Sequence, residues 1–270
     1  MYKTGAIFSG VDVRDYKGVC CANTQEFPKE FELSMPDVKN QGNVGSCVAH
    51  ALSTVVEYYN KYQHNMTDKM STGYIYGNRR NSIYKGEGMI MRDALKNVCS
   101  GGDVLNSKFP LNIEVPAAIE EFEKNVENLQ PAAYPYRFSE YARLYNNDDI
   151  KAALLAGCPV VFAIPWYKKA TVVDSKLTFN SEERNGSHCM VIYGWNEEGF
   201  KFQNSWGPLW GNGGRAILPY EIKIHEAWSV TDNVTEGNLD IKKPFHSELG
   251  NVIAKIVNII ANALTSLLKK

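Results

Sequence analysis

Apolar residues follow two different rhythms along the chain. From Ser46 to about Tyr62 they recur at spacings of three and four, with Val48, Leu52, Val55, Val56 and Tyr59 on one stripe. That pattern predicts a helix, and Ser46 is its expected N-cap. Residues 63–88 are rich in Gly, Asn, Ser and Tyr and predict loop with short helical pieces. A second helix is expected over Arg92 to Val98, stopped at Gly101 and Gly102, and a third from Pro116 to about Leu129, since proline is favoured at the first helical position. Asp148 or Asp149 should cap a fourth that ends at Gly157. Beyond that point the period changes. The runs Val160 to Ile164 and Cys189 to Tyr193 are dense and apolar, Gly199 to Gln203 alternates, and Arg215 to Leu218 follows a glycine-rich turn at 211–214. Helices first and strands second make an α+β arrangement, in which a helical lobe and a sheet lobe could face each other across a groove.

Two stretches fall outside that pattern. Residues 1–35 form a lead-in with little periodicity. At the other end a polar linker, 233–250, precedes a segment, 251–270, that reads as an amphipathic C-terminal helix. Its polar positions Asn251, Lys255, Asn258, Asn262, Thr265 and Lys269 share one narrow stripe and leave a wide apolar face that includes Ile253, Ile256, Ile260 and Leu264. The stripe interrupts the segment too often for a comfortable bilayer span. Docking to a protein partner or self-association is the favoured use of the face. Packing back on the main domain, 36–232, and membrane-surface contact are the alternatives.

Composition narrows the function classes. With 270 residues and 44% hydrophobic content the chain can build a sizeable core. Its formal net charge is −1 and its lysines and arginines are scattered, so nucleic acid is not an expected partner. The first thirty residues carry Asp12, Arg14, Asp15 and Lys17 and no apolar core of a secretory signal, so a cytoplasmic or virion-associated setting is expected. None of the six cysteines forms a C-x-x-C pair, which argues against structural zinc and for reduced thiols.

The chemistry-bearing residues lie in three places. Asn40-Gln41-Gly42-Asn43-Val44-Gly45-Ser46-Cys47 ends on a cysteine that opens the first helix, Gly186-Ser187-His188 precedes a strand, and Gln203-Asn204-Ser205-Trp206-Gly207 follows another. The order Gln41, Cys47, His188, Asn204 resembles the papain-like cysteine peptidase superfamily, and the likeness runs over roughly residues 36–230. Tyr134-Pro135-Tyr136 and the run from Asn204 to Gly214 also match, and Leu218-Pro219-Tyr220-Glu221 with Ala227-Trp228 looks more like the bacterial and viral branch than the lysosomal enzymes.

The resemblance implies a papain-like two-lobed fold, with an N-terminal helical lobe, a C-terminal antiparallel β lobe and the active-site groove between them. It also implies a peptide or protein substrate and no metal or cofactor. In that reading Cys47 is the nucleophile, favoured as a thiolate by the helix N-terminus, His188 is the base, Asn204 holds its ring, and Gln41 donates to the oxyanion. Trp206 would cover the His188–Asn204 contact, and Gly88 would let substrate backbone approach the groove. His50 shares a helix face with Cys47 and is read as structural.

Departures are Val48 where the family usually has Trp, His50 where Phe or a similar residue is expected, and Val44 where many members have a cysteine. The lead-in leaves no room for the long prosegment of eukaryotic members, so any latency would have to come from that short segment, acting as an inhibitory or pro-segment, or from another molecule. An acyl-transferring transpeptidase or amidase, or a catalytically silent binding or assembly module, remains the alternative on the same site.

Overall fold

The structure is a computed structural model that describes residues 3–15, 26–79, 84–110, 112 and 116–232. The linker and helix expected at 233–250 and 251–270 lie outside the described residues, as do Cys20 and Cys21. The chain divides into one unit of residues 1–233 and another of 234–270, and the second lies wholly outside the described residues.

The expected first helix is α1 (Cys47–His64), and every residue from 47 to 60 is buried. The apolar stripe alone predicts one buried face. The polar positions tolerate burial because they find partners inside the fold. Ser53 Oγ donates to the Met70 carbonyl at 3.1 Å, Thr54 Oγ1 to the His50 carbonyl at 2.8 Å, and Glu57 accepts from Met70 N at 2.7 Å and pairs with Lys39. Ser46 does stand at the N-cap, but its hydroxyl contacts His50 Nδ1 at 3.2 Å and Asn112 Oδ1 at 3.1 Å and caps no backbone amide. The capping expectation therefore fails, because a side chain buried at a helix start is claimed by neighbouring side chains.

Four further helices follow: α2 (Thr72–Gly77), α3 (Met91–Gly101), α4 (Ala117–Ala133) and α5 (Asn147–Leu155). Pro116 sits one position before α4 rather than at its first helical residue, and α4 runs past Leu129, carrying Pro131 in its last turn. The cap of α5 is Asn146, not Asp148 or Asp149. Its side chain accepts from Asp149 N at 2.8 Å while the Asp149 carboxylate accepts from Tyr145 N at 2.9 Å. The two aspartates occupy the first turn, where negative charge suits the helix dipole.

The strands are β1 (Ala6–Ile7), β2 (Phe31–Glu32), β3 (Met89–Ile90), β4 (Glu140–Leu144), β5 (Val160–Tyr167), β6 (Ala170–Val173), β7 (Lys176–Phe179), β8 (Arg184–Asn196), β9 (Gly199–Gln203), β10 (Arg215–Pro219) and β11 (Glu226–Thr231). The main sheet runs β4-β11-β5-β8-β9-β10-β7-β6, with β2 added on β8. Pairing is antiparallel except between β7 and β10. β1 pairs with β3 in a separate parallel ladder.

Strands β5 and β8 are apolar without alternation because both their faces are buried. Val161, Ala163, Cys189 and Val191 join the core that contains Cys47, Leu52 and Val55 of α1. Val160, Phe162, Ile164, Met190 and Ile192 join a second core with Phe200, Phe202 and Trp206. The result is the expected α+β fold. α1 packs on one face of the central strands, and the β core closes over the other.

Candidate active site

Cys47 is the first residue of α1 and is fully buried. His188 lies inside β8, and Asn204 follows β9. The pairing of β8 with β9 brings these two side chains together, and His188 Nε2 stands 2.7 Å from Asn204 Oδ1. The tautomer follows from a third group. Ser205 N donates to that same Asn204 Oδ1 at 2.7 Å, so this atom is the acceptor and His188 Nε2 must be the donor. A neutral His188 ring then keeps its lone pair on Nδ1, a buried atom with no hydrogen-bond partner among the described residues.

Aromatic rings hold the imidazole on its other sides. Trp206 stacks on it at a centroid distance of 4.3 Å and an interplanar angle of 22°, as expected for a cover over the His188–Asn204 contact. Trp166 meets it edge-on at 5.1 Å. Trp166 carries no sequence signal for this role, since it lies beyond the predicted run Val160 to Ile164, which β5 extends to Tyr167.

Gln41 is held from both ends of its amide. Its Oε1 accepts from Ser205 Oγ at 2.6 Å, which turns Nε2 the other way, and its backbone N–H donates to the Ser205 carbonyl at 2.8 Å. Ser205 therefore orients both Gln41 and Asn204. Its place beside Asn204 was visible in the sequence, but not its reach to Gln41, 164 positions away. His50 is buried, with Nδ1 3.0 Å from the Ser46 carbonyl, and burial holds its pKa down to about 4. Its Nδ1 is taken up by Ser46, whose hydroxyl also lies 3.2 Å away.

Residues 3–9 of the chain lie across this arrangement. Gln41 Nε2 donates to the Lys3 carbonyl at 3.0 Å and to the Val44 carbonyl at 2.9 Å. Thr4 Oγ1 donates to the Asn185 carbonyl at 2.7 Å, and Met89 N donates to the Gly5 carbonyl at 2.8 Å. The fit is tight at two glycines. A Cβ on Gly5 would lie 2.0 Å from the Gly45 carbonyl oxygen, and one on Gly88, whose φ is +92°, would lie 2.2 Å from the Gly5 carbonyl oxygen. Gly88 thus stands where a peptide backbone passes close to the wall, although here the passing backbone is the chain's own.

Burial under this segment sets the protonation states. It pushes the Cys47 thiol up to about 11, against the backbone groups of Cys189, Gly5 and Val48, which favour the thiolate. It pulls His188 down to about 4, against the Asn204 contact. In the covered state burial therefore favours a neutral thiol and a neutral imidazole. Excluding water in this way disfavours a thiolate–imidazolium pair.

No cluster of three or more His, Cys, Asp or Glu side chains suited to a metal occurs among the described residues, and the four described cysteines are free.

The family model described as "Papain family cysteine protease" matches residues 27–227. An uncharacterised peptidase C1-like protein of Acanthamoeba polyphaga mimivirus is 29% identical over 206 residues, covering 69% of this chain and 65% of its own. A viral cathepsin of Adoxophyes honmai nucleopolyhedrovirus is 24% identical over 205 residues, covering 70% of this chain and 56% of its own. The chain thus spans roughly three fifths of these relatives' lengths. Among solved structures, xylellain, a cysteine protease from Xylella fastidiosa, superposes with a TM-score of 0.73 at 22% identity, covering 85% of this chain and 96% of its own. A procathepsin B from Trypanosoma congolense superposes with a TM-score of 0.66 at 14% identity, covering 86% of this chain and 87% of its own.

Proposed function

The chain belongs to the papain family of cysteine proteases, and on that premise we propose that it is a cysteine endopeptidase acting through Cys47. His188 Nδ1 takes the thiol proton, and Cys47 Sγ attacks the carbonyl carbon of a peptide or protein substrate. The developing oxyanion is received by Gln41 Nε2 and the Cys47 backbone N–H. His188 then protonates the departing amine, the acyl group stays on sulfur as a thioester, and a water deprotonated by His188 hydrolyses it. Asn204 holds the ring through this sequence, and Gly88 leaves room for the substrate backbone.

One observation carries the reading. A peptide carbonyl, that of Lys3, already rests on Gln41 Nε2 at 3.0 Å, beside the buried Cys47 thiol. An amide presented in this way, fixed by Ser205, is the donor that acyl-transfer chemistry needs. The held His188–Asn204 pair also speaks against the silent-module alternative.

The test is hydrolysis of a peptide library by the uncovered enzyme, with Cys47→Ala as control and a competing amine present. Hydrolysed products lost in Cys47→Ala support an endopeptidase. Products joined to the amine would point to acyl transfer, and cleavage surviving in Cys47→Ala would refute the assignment.

A further inference from the structure

The backbone edge beside Cys47 is held from behind. Gly86-Glu87-Gly88 lies against the turn that leads into α1: a Cβ on Gly45 would stand 2.9 Å from Glu87 Oε2 and 3.3 Å from Gly88 N. The segment continues into β3, where Met89 pairs with Ala6. The carbonyls of Lys3 and Gly5 rest on Gln41 Nε2 and on Met89 N, so one peptide backbone meets both donors two residues apart. Val44 carries no thiol and the four described cysteines are free, so among the described residues no disulfide ties this edge down.

Arg79, two residues past the end of α2, reaches it instead. The side chain is 2% exposed, and its guanidinium lies over the Tyr76 ring at 3.9 Å. Nε donates to the Tyr76 carbonyl at 2.9 Å, while Nη1 donates to the Gly86 carbonyl at 3.1 Å and to the Gly88 carbonyl. Tyr84 adds a brace through its hydroxyl, which donates to the Glu87 carbonyl at 2.9 Å. The hydrogen-bond partners of the guanidinium among the described residues are three backbone carbonyls and no carboxylate, and Nη2 is buried without a partner among them. A charge taken out of water on those terms is costly, so stability alone does not account for it. What the arrangement secures is geometry. The rigid fork of a guanidinium meets several carbonyls at once, where an ammonium is a point charge on a flexible stem.

We infer that Arg79 is a positioning residue of the active site, setting the Gly86–Met89 backbone edge along which a peptide substrate is laid beside Cys47. The inference rests on Cys47 being the nucleophile and Gly88 the wall that the substrate backbone passes. Arg79 touches no reacting atom. It acts through the Gly86 and Gly88 carbonyls, which lose their shared donor without it and let the edge shift. Placement of the reacting carbon is sensitive to such a shift, since a misplacement of about 1 Å can cost roughly 10² in rate.

The experiment compares the full chain with Arg79→Met, Arg79→Lys and Tyr59→Phe. Tyr59→Phe loses a buried hydrogen bond to the Val230 carbonyl about three turns along α1 from Cys47, and so controls for a general loss of stability. Each protein is treated with a tripeptidyl vinyl sulfone and, separately, with iodoacetamide, and the rate of Cys47 modification is read by mass spectrometry beside Tm. Both reagents reach Cys47 only in molecules whose site is open, so the ratio of the two rates reads how well the peptide chain is placed. Arg79→Met should lower that ratio by roughly tenfold, Arg79→Lys should fall between it and the wild type, and Tyr59→Phe should match the wild type. A ratio unchanged in Arg79→Met would overturn the inference, as would an equal fall in Tyr59→Phe. If Arg79→Met fails to fold, Arg79→Lys decides, and a ratio equal to that of the wild type would overturn it. Cys47 reacting no faster than Cys99 with either reagent in the wild type would instead fail the assignment of Cys47 as the activated thiol.

Discussion

Ser205 meets two of the side chains that the chemistry depends on. Its hydroxyl fixes the Gln41 amide and its N–H fixes Asn204 Oδ1, so one residue sets both the orientation of the proposed oxyanion donor and the tautomer of His188. Ser205→Ala leaves Gln41 Oε1 without its donor in a buried position, which should lower stability by about 1–3 kcal/mol. It should also reduce kcat by roughly tenfold through a loosened donor. Gln41→Ala should cost about 10²–10³ in kcat while leaving alkylation of Cys47 in the opened enzyme largely intact. Steady-state kinetics beside alkylation rates check both, and equal losses in the two assays would mark Gln41 as structural.

The buried histidines predict the acid limb of stability. His50 and His188 both fall from 6.5 to about 4 in the fold, so the folded protein holds them neutral while the unfolded chain takes up protons. A group depressed in this way contributes stability above its unfolded value that is lost as pH falls through the window from about 6.5 to about 4. Thermal unfolding followed across that range should show Tm falling as pH drops, with a shallower slope in His50→Gln. A Tm that is flat over the window would contradict the buried neutral state.

At the scale of elements, legibility followed burial. The first helix was readable because its apolar stripe is regular, although the stripe did not disclose that Ser53, Thr54 and Glu57 are buried with it. Strands β5, β8, β9 and β10 were readable as apolar or alternating runs. β4 and β11 were not, because Arg143 and Glu226 interrupt them with charges that are in fact buried. Nor was the β6–β7 hairpin, whose turn is made by Asp174 and Ser175 at φ 48° and 65° instead of by a glycine. The order Gln41, Cys47, His188, Asn204 was legible through its resemblance to the papain-like superfamily, and the structure brings His188 to Asn204. The course of residues 3–9 was not, because a strap bound through backbone carbonyls leaves almost no side-chain signature. Gly5 is its steric key, and Gly5→Val should raise the exposure of Cys47 without altering the far-ultraviolet circular dichroism.

For the molecule as a whole, the α1 core and the β core meet at β5 and β8, and Cys47 and His188 come from the two sides of that junction. Residues 3–9 lie over the candidate site, and in this closed form burial favours a neutral Cys47 and a neutral His188. Cys47, once uncovered, is the proposed activated nucleophile. The most direct test incubates the wild type and Gly5→Val at pH 6 with a peptidyl vinyl sulfone and maps the modified residue by mass spectrometry. One adduct is expected, on Cys47, formed faster in Gly5→Val and accompanied by loss of peptide hydrolysis. Adducts on the half-buried Cys99 or Cys158 with none on Cys47 in either protein would contradict it.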